Sequence, residues 1–568
     1  MWQLARVALL MGVLTGLACS QEEPGSADLL IHHAKVYTVE EGQPWAEAVA
    51  IREDRIVWVG PDSGAETFRG ERTRVIDAEG RLLLPGFIDS HNHIRFGNNP
   101  DYLKLHDATS LEEIQRRVRE FSDGRPDLEW IESEGWSYSA LPGRRLPTAA
   151  DLEGLTGDRP AFLLAYDGHT VWLNRLAMQL VGLTRGSSLA EAEQVVKDPS
   201  SGEPTGVVKS MVSLGRSNEA IARLMEMIPE EPEEQRYRSF EKSLSQAISY
   251  GITTVIDPQV SPESLGLFKR ARDEGALKPR LQVALFHPPG TSEEEIDKFD
   301  EAGQQLNDDR LRVSAIKLYI DDVIEPHTAA MLEPYADLPR ERGDTFYEPA
   351  EFDRVVAGLD RRGFQIFIHA IGDRGIRTAL DALEHARETN GPRDSRHQLV
   401  HVELLSPEDI SRFGELGVVA CMQPRHVLPE RNSQWAAAVG PQRLKHAFAW
   451  RSLRDTGAVL AFSSDWDVSE MEPLIGIYSA VTRQGLDGLP AGGWVPEQAI
   501  DLEDAIRAYT IDGAYANFVD ENRGSIRAGK YADVILLSDN LFEIPPGKIK
   551  DTRVVLTIIG GEVAYQAL

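Results

Sequence analysis

The sequence predicts an α/β protein: a (β/α)8 TIM-like barrel, a small β domain built from both chain ends, and a subdomain inserted after the first barrel strand. Three observations predict it. Near-continuous apolar runs alternate with amphipathic helical patterns through the middle of the chain, as a parallel sheet buried on both faces requires. Short alternating runs bounded by turn residues occupy both ends. One interval, about residues 97–245, is too long for a barrel loop. At 568 residues the chain also exceeds one ordinary hydrophobic core, so two or three structural units are expected.

From the N-terminus, "MWQLARVALLMGVLTGLACS" carries one positive charge, Arg6, then an apolar run of about a dozen residues, too short to span a bilayer and proportioned like a signal peptide. It ends in Gly16-Leu17-Ala18-Cys19, which resembles a bacterial lipoprotein signal in which the cysteine is acylated; Gly16 departs from the pattern, where Leu is usual. Residues 1–19 are therefore expected to be a lipoprotein-type signal, with a plain secretory signal as the alternative, and residues 20–27 a tether. The expected location is exported, anchored to a membrane through Cys19 and facing the periplasm or cell exterior.

Residues 28–84 alternate as strands in "LLIHHAKVYTV", "AEAVAIREDRIVWVG" and "TRVIDAEGRLLL", and residues 516–568 do so in "ADVILLSDN" and "VVLTIIGGEVAY". His32 and His33 are adjacent, so on a strand they face opposite sides and read as structural or exposed. Between the ends, about residues 85–515, eight barrel strands are expected: 82–90, 251–257, 280–286, 311–320, 364–369, 398–402, 417–422 and 458–463. Helical periodicity separates several of them, with Phe352, Val355, Val356 and Leu359 on one face and Ile376, Leu380 and Leu383 on another. Within the insertion "AFLLAY" reads as its own apolar segment, and "MIPEEPEEQRYR" as a solvated acidic loop leading into the next helix.

Composition excludes some partners. The chain is 42% hydrophobic and 26% charged, as a soluble globular protein is. Its formal charge of -30 repels nucleic acid and anionic membrane surfaces, which leaves a lipid on Cys19 as the membrane attachment. There are two cysteines, so with Cys19 acylated Cys421 has no disulfide partner. No later segment reaches 18 consecutive apolar residues.

In a parallel barrel, chemistry sits at the C-terminal strand ends. The first expected strand ends in "LLLPGFIDSHNH", with His91 and His93; the fourth carries Lys317; the fifth ends at His369, the sixth at His401, and the eighth near Asp465. Imidazoles, a carboxylate and a lysine at five strand ends are far harder to reach by chance than one His pair. Residues i and i+2 of a strand share a side, so His91 and His93 can chelate one ion, and imidazole suits zinc and related metals. Lys317 lies in "VSAIKLYI" with apolar neighbours, where burial favours a neutral amine. Such an amine can add carbon dioxide and become an anionic metal ligand; the alternative is an ion pair with a barrel carboxylate.

The matching text "LPGFIDSHNH", "KLYIDDVIEPHTAAMLEPY", "HAIGDRG", "LVHVELLSPED", "MQPRH", "FSSDWDV", "AVTR" and "GSIRAGKYADVILL" resembles the amidohydrolase superfamily, in its YtcJ-like branch related to N-substituted formamide deformylase. The resemblance covers nearly the whole mature chain. It implies a barrel with a β-sandwich formed by both termini, His91, His93, Lys317, His369, His401 and Asp465 as metal ligands, and Asp465 as the catalytic carboxylate. Asp467 is a rival two residues on, and Asp322 departs from the usual Gly. "DGHTVWLN" raises His169 and Trp172 as substrate contacts or as packing within the insert. Trp136 and Tyr138 join Trp172 as residues that could favour an apolar substituent or form core.

The implied function is hydrolysis of a carbon–nitrogen bond other than a peptide bond in a small amide, formamide or cyclic amide. One or two divalent ions, zinc in expectation, and N6-carboxylysine at Lys317 would serve it. An esterase or lactonase on the same centre, or an inactive lipid-anchored binding protein, are the alternatives.

Overall fold

A computed structural model of the chain describes residues 25–185, 195–210, 219–427 and 433–567. The expected signal peptide and Cys19 lie outside these residues, as does most of the tether.

Eight parallel strands form one sheet in sequence order: β1 Phe87–Asp89, β2 Ile252–Val260, β3 Arg280–Phe286, β4 Leu311–Tyr319, β5 Gln365–Ala370, β6 Gln398–His401, β7 Val419–Met422 and β8 Leu460–Phe462. The edges β1 and β8 meet where the Ser90 N–H donates to the Phe462 carbonyl at 3.3 Å, so the sheet curls into a cylinder. Asp89 reinforces this seam by accepting the Ser464 N–H at 2.9 Å, the Ser464 hydroxyl at 2.6 Å and the Asn92 amide at 2.8 Å. Inside, Ile88, Ile256, Ala284, Ala315, Phe367, Val400 and Cys421 come from seven consecutive strands and pack as one layer, the filled interior expected of an eight-stranded barrel. Cys421 is thus a buried, free packing residue.

The expected first strand, 82–90, is two strands serving two sheets. Leu82–Pro85 pairs antiparallel with Val534–Leu537, and β1 starts two residues later. Gly86 permits the turn-off: a Cβ there would meet the Thr253 side chain at 2.3 Å.

The pairing of Leu82–Pro85 with Val534–Leu537 stitches the chain ends into one unit. One sheet holds Arg55–Gly60, Ala48–Arg52, Leu29–His32 and Arg74–Asp77; the other holds Glu562–Gln566, Val554–Ile559, Val534–Leu537, Leu82–Pro85, Lys35–Tyr37 and Trp45–Ala46. Ile31, Val36, Val49, Leu83, Val534 and Ile558 share the core between them. A buried pair ties this sandwich to the barrel, with Arg280 of β3 donating to Asp533 at 2.8 and 3.3 Å.

The insertion forms a six-stranded mixed sheet from Tyr102–Lys104 to Pro204–Val208, packed on helix Leu111–Gly124. It ends earlier than 245. Helix Glu233–Ser249 packs on β2 and the sandwich, and the Ile248 carbonyl accepts the Thr557 hydroxyl at 2.8 Å. This helix starts inside the stretch expected to be an acidic loop. Pro232 precedes it, and Glu233 and Glu234 in its first turn face the positive end of the helix dipole. Among the described residues no helix is long and apolar enough to cross a membrane.

Candidate metal centre

The register of neighbouring strands sets the level at which the site forms. Lys317 of β4 lies beside Phe286 of β3 and Phe367 of β5, while His369 lies beside Tyr319 and Val400, and His401 beside Ala370. His91 and His93 follow the end of β1, so strand alternation does not align them. Backbone bonds across the seam do: the Asp465 N–H donates to the His91 carbonyl at 2.8 Å, and the His93 N–H to the Trp466 carbonyl at 2.7 Å. His401 and Asp465 take φ of 79° and 55°, left-handed values that non-glycine residues rarely adopt and that cluster at functional sites.

These constraints bring all six expected residues together. Asp465 is the hub. Its Oδ1 is 3.4 Å from His91 Nε2 and 3.2 Å from His93 Nε2, and its Oδ2 is 3.8 Å from His401 Nδ1. Lys317 Nζ lies 3.5 Å from His91 Nε2. The His369 ring is 4.5 Å from the His401 ring and stacks on Tyr319 at 4.6 Å.

The donor set fits a divalent cation. His369 is 1% exposed, yet neither ring nitrogen has a hydrogen-bond partner among the described residues; the same holds for His91 Nδ1 and Asp465 Oδ1. Buried polar atoms are ordinarily paired, so these are arranged for something else. Burial pushes His91, His369 and His401 well below the usual imidazole value, which keeps them neutral, the form that ligates. His401 donates Nδ1–H to Gln423 Oε1 at 2.9 Å, leaving Nε2 as the donor atom for a metal. Lys317 is fully buried, and among the described residues no carboxylate lies within 4.0 Å of its amine. The ion-pair alternative is therefore not realised. Burial brings this amine down to about 7.

His426, in the turn Pro424–His426 after β7, was missed. Its Nε2 is 3.6 Å from Asp465 Oδ2, and its ring lies parallel to that of His401 at 5.8 Å. It stands in "MQPRH", where the sequence offered a histidine but no strand end to place it. His169 reaches the site from the insertion, 5.2 Å from the His369 ring, and pairs closely with Asp322 through Nδ1. Asp322, the departure from the family's Gly, also accepts the Ser210 hydroxyl at 2.6 Å, so it holds the insertion against the barrel. Asp467 belongs elsewhere: its carbonyl accepts from His106 at 3.2 Å, and its charge, after burial, raises Glu134. Trp136, Tyr138 and Trp172 are core of the insertion, not substrate contacts. His32, His33 and Asp77 group on the sandwich, where His33 and Asp77 are exposed.

A closed parallel barrel with imidazoles and a carboxylate gathered on its C-terminal rim defines a metal-dependent hydrolase of the TIM-barrel class. The chain belongs to the amidohydrolase family, whose model matches residues 74–565. It is 27% identical to the putative amidohydrolase YtcJ of Bacillus subtilis, covering 94% of this chain and 99% of that one. It is 25% identical to the N-substituted formamide deformylase of Arthrobacter pascens, over 95% and 98%. A metal-dependent hydrolase of Pyrococcus horikoshii, uncharacterised in function, has the same fold, with a TM-score of 0.70, 22% identity, and coverage of 91% of this chain and 99% of that one.

Proposed function

We propose that the protein hydrolyses a carbon–nitrogen bond other than a peptide bond, in a small amide, formamide or cyclic amide. The observation that carries this reading is the gathering of His91, His93, Lys317, His369 and His401 around Asp465, with buried donor atoms left unpaired. Likeness to a formamide deformylase over almost the whole chain supports an amide-type substrate.

Those six residues would hold one or two divalent ions, zinc by donor type. Such an ion supplies Lewis acidity, lowering the pKa of water towards about 7 and polarising a carbonyl. Lys317, its amine made nucleophilic by burial, adds carbon dioxide and loses a proton to become N6-carboxylysine, an anionic oxygen donor. Asp465 accepts the proton of the attacking water and delivers it to the departing nitrogen. The insertion presents Tyr166, Asp167 and His169 to the pocket that His369, His401 and Asp465 also line.

The test is elemental analysis of purified protein together with a screen of N-acyl and N-formyl amines, each paired with its matching ester. Bound zinc and turnover of amides support the reading. Metal-free protein, or turnover of esters alone, contradicts it. We also propose that the chain is anchored by a lipid on Cys19; Cys19→Ser should then move it from the membrane pellet to the soluble fraction, and unchanged membrane association would remove the anchor.

A further inference from the structure

The cavity beside the candidate metal centre carries groups that the proposed hydrolysis does not use. Three carboxylates face it, Asp167, Glu325 and Glu403, all more than nine-tenths buried. Each is held by neutral donors. The Tyr138 hydroxyl donates to Asp167 at 2.6 Å, the Tyr166 hydroxyl to Glu325 at 2.5 Å, and the Trp435 indole N–H to Glu403 at 2.7 Å. Among the described residues no Lys or Arg pairs with any of the three. Arg425 lines the same cavity, but its guanidinium is engaged by Glu470 at 3.0 and 3.1 Å and by Ser479 at 3.2 Å.

Burial of three carboxylates is costly, and beyond the His426 imidazole 3.4 Å from Glu403 and the His169 imidazole that acts on Asp167, no cationic side chain among the described residues offsets them, so a positive group is a favourable partner for this wall. The walls between them are aromatic, with Trp435 and Phe448 stacked at 5.5 Å and Tyr166 beside Glu325. Aromatic faces and carboxylates together are the chemistry that recognises an ammonium group. The cavity is the one proposed for the reaction, since His369 and Asp465, which carry the unpaired buried atoms described above, also line it. One imidazole stands between the two groups: His426 has Nε2 3.6 Å from Asp465 and Nδ1 3.4 Å from Glu403.

We propose that this wall binds a protonated amino group on the substrate, so that the protein acts on amides carrying a second, cationic nitrogen a few bonds from the scissile one. This rests on the hydrolase reading above. Two further features agree with it. The formal charge of -30 concentrates cations around the protein and repels anionic amides. Burial, then the charges of Glu403 and Asp167, push Glu325 above its usual range, so an arriving ammonium should favour its ionisation and release a proton.

The test compares isosteres differing in charge. N-(4-aminobutyl)formamide should be hydrolysed with a kcat/KM at least tenfold above that of N-pentylformamide, and this ratio should fall towards one in Glu403→Gln and in Glu325→Gln. Each ratio is measured within one protein, so a general loss of activity in a variant does not mimic the effect. Calorimetry supplies an arm without chemistry. Butylammonium should bind the wild type in preference to butanol and lose that preference in Glu403→Gln. A ratio near one in the wild type, a ratio unmoved by both substitutions, or equal binding of the two alkyl probes overturns the cation site. Preferential butylammonium binding with no amide hydrolysed would instead remove the hydrolase reading and leave the cation site standing.

Discussion

Asp465 touches three imidazoles of the expected ligand set and a fourth, His426, that the sequence did not single out. Proton transfer by a positioned side chain is worth about 10²- to 10⁴-fold, so Asp465→Asn should lower kcat by that range while elemental analysis finds most of the metal still bound. Wild-type turnover in that variant would remove Asp465 from the mechanism. Lys317 carries a second prediction. Its amine titrates near 7 in the fold and near 10.5 when unfolded, so between these values the native state binds fewer protons and stability rises with pH. Metal-free wild type should therefore gain stability from about pH 7 towards 10.5, and Lys317→Met should lack that gain in parallel denaturant titrations. Equal slopes in the two proteins would show the amine is not desolvated. At this scale the sequence was most legible where a residue type is rarely tolerated, as with a lysine in an apolar strand. It was least legible at His426, because a histidine in a turn has no periodicity to report its direction.

Strand ends converge because register and backbone bonds force them to. The apolar runs announced the eight strands, but not that Leu82–Pro85 and Phe87–Asp89 would divide one run between two sheets, since the run is apolar on both sides of Pro85 and Gly86, which alone mark the break. The glycines of "HAIGDRG" have a similar local reason. A Cβ on Gly375 would meet Asp321 Oδ2 at 2.3 Å, and that carboxylate anchors the loops after β4 and β5 by accepting the N–H groups of Ala330, Ile371 and Gly372 at 2.9 to 3.0 Å. Side-chain pairs between distant elements outside the strand-end cluster were not legible, and Arg280 with Asp533 is the clearest case. Both are nearly fully buried, and Arg280 also lies 3.7 Å over the Tyr531 ring. Burial raises Asp533, but the Arg280 guanidinium outweighs this and lowers it, so the pair's contribution is present above pH 3.8 and lost as pH falls through the lower folded value. Arg280→Met takes the ion-pair partner from a buried carboxylate that keeps only the Gly560 N–H at 2.7 Å and the charge of Arg523, at a cost of up to about 3–5 kcal/mol near neutral pH. Hydrogen exchange should show the loss in β3 and in Val534–Leu537, and the penalty should shrink towards pH 4 as that carboxyl protonates. Unchanged protection would mean the pair does not join sandwich to barrel.

The molecule as a whole is a filled cylinder, clasped from outside by a sandwich of its two ends and roofed by an insertion that sends His169 down to the rim. The sandwich's Leu82, Leu84, Ile535 and Val554 pack in the same core as the barrel's outer helices, so the cylinder is braced on the side where its seam begins. That packing lies against the barrel that carries the proposed ligands at the ends of β1, β4, β5, β6 and β8, and rigidity is what a metal site built from distant segments would require. The amidohydrolase architecture was legible from pattern and motif together, while the carboxylate wall was not, because it assembles from the insertion and two barrel loops. The central claim is that these segments grip a cation. Anomalous diffraction at the zinc edge from crystals of the protein as purified tests it most directly. The account predicts one or two peaks bounded by His91, His93, Lys317, His369, His401 and Asp465; no peak there, or metal bound only at the surface grouping of His32, His33 and Asp77, would contradict it.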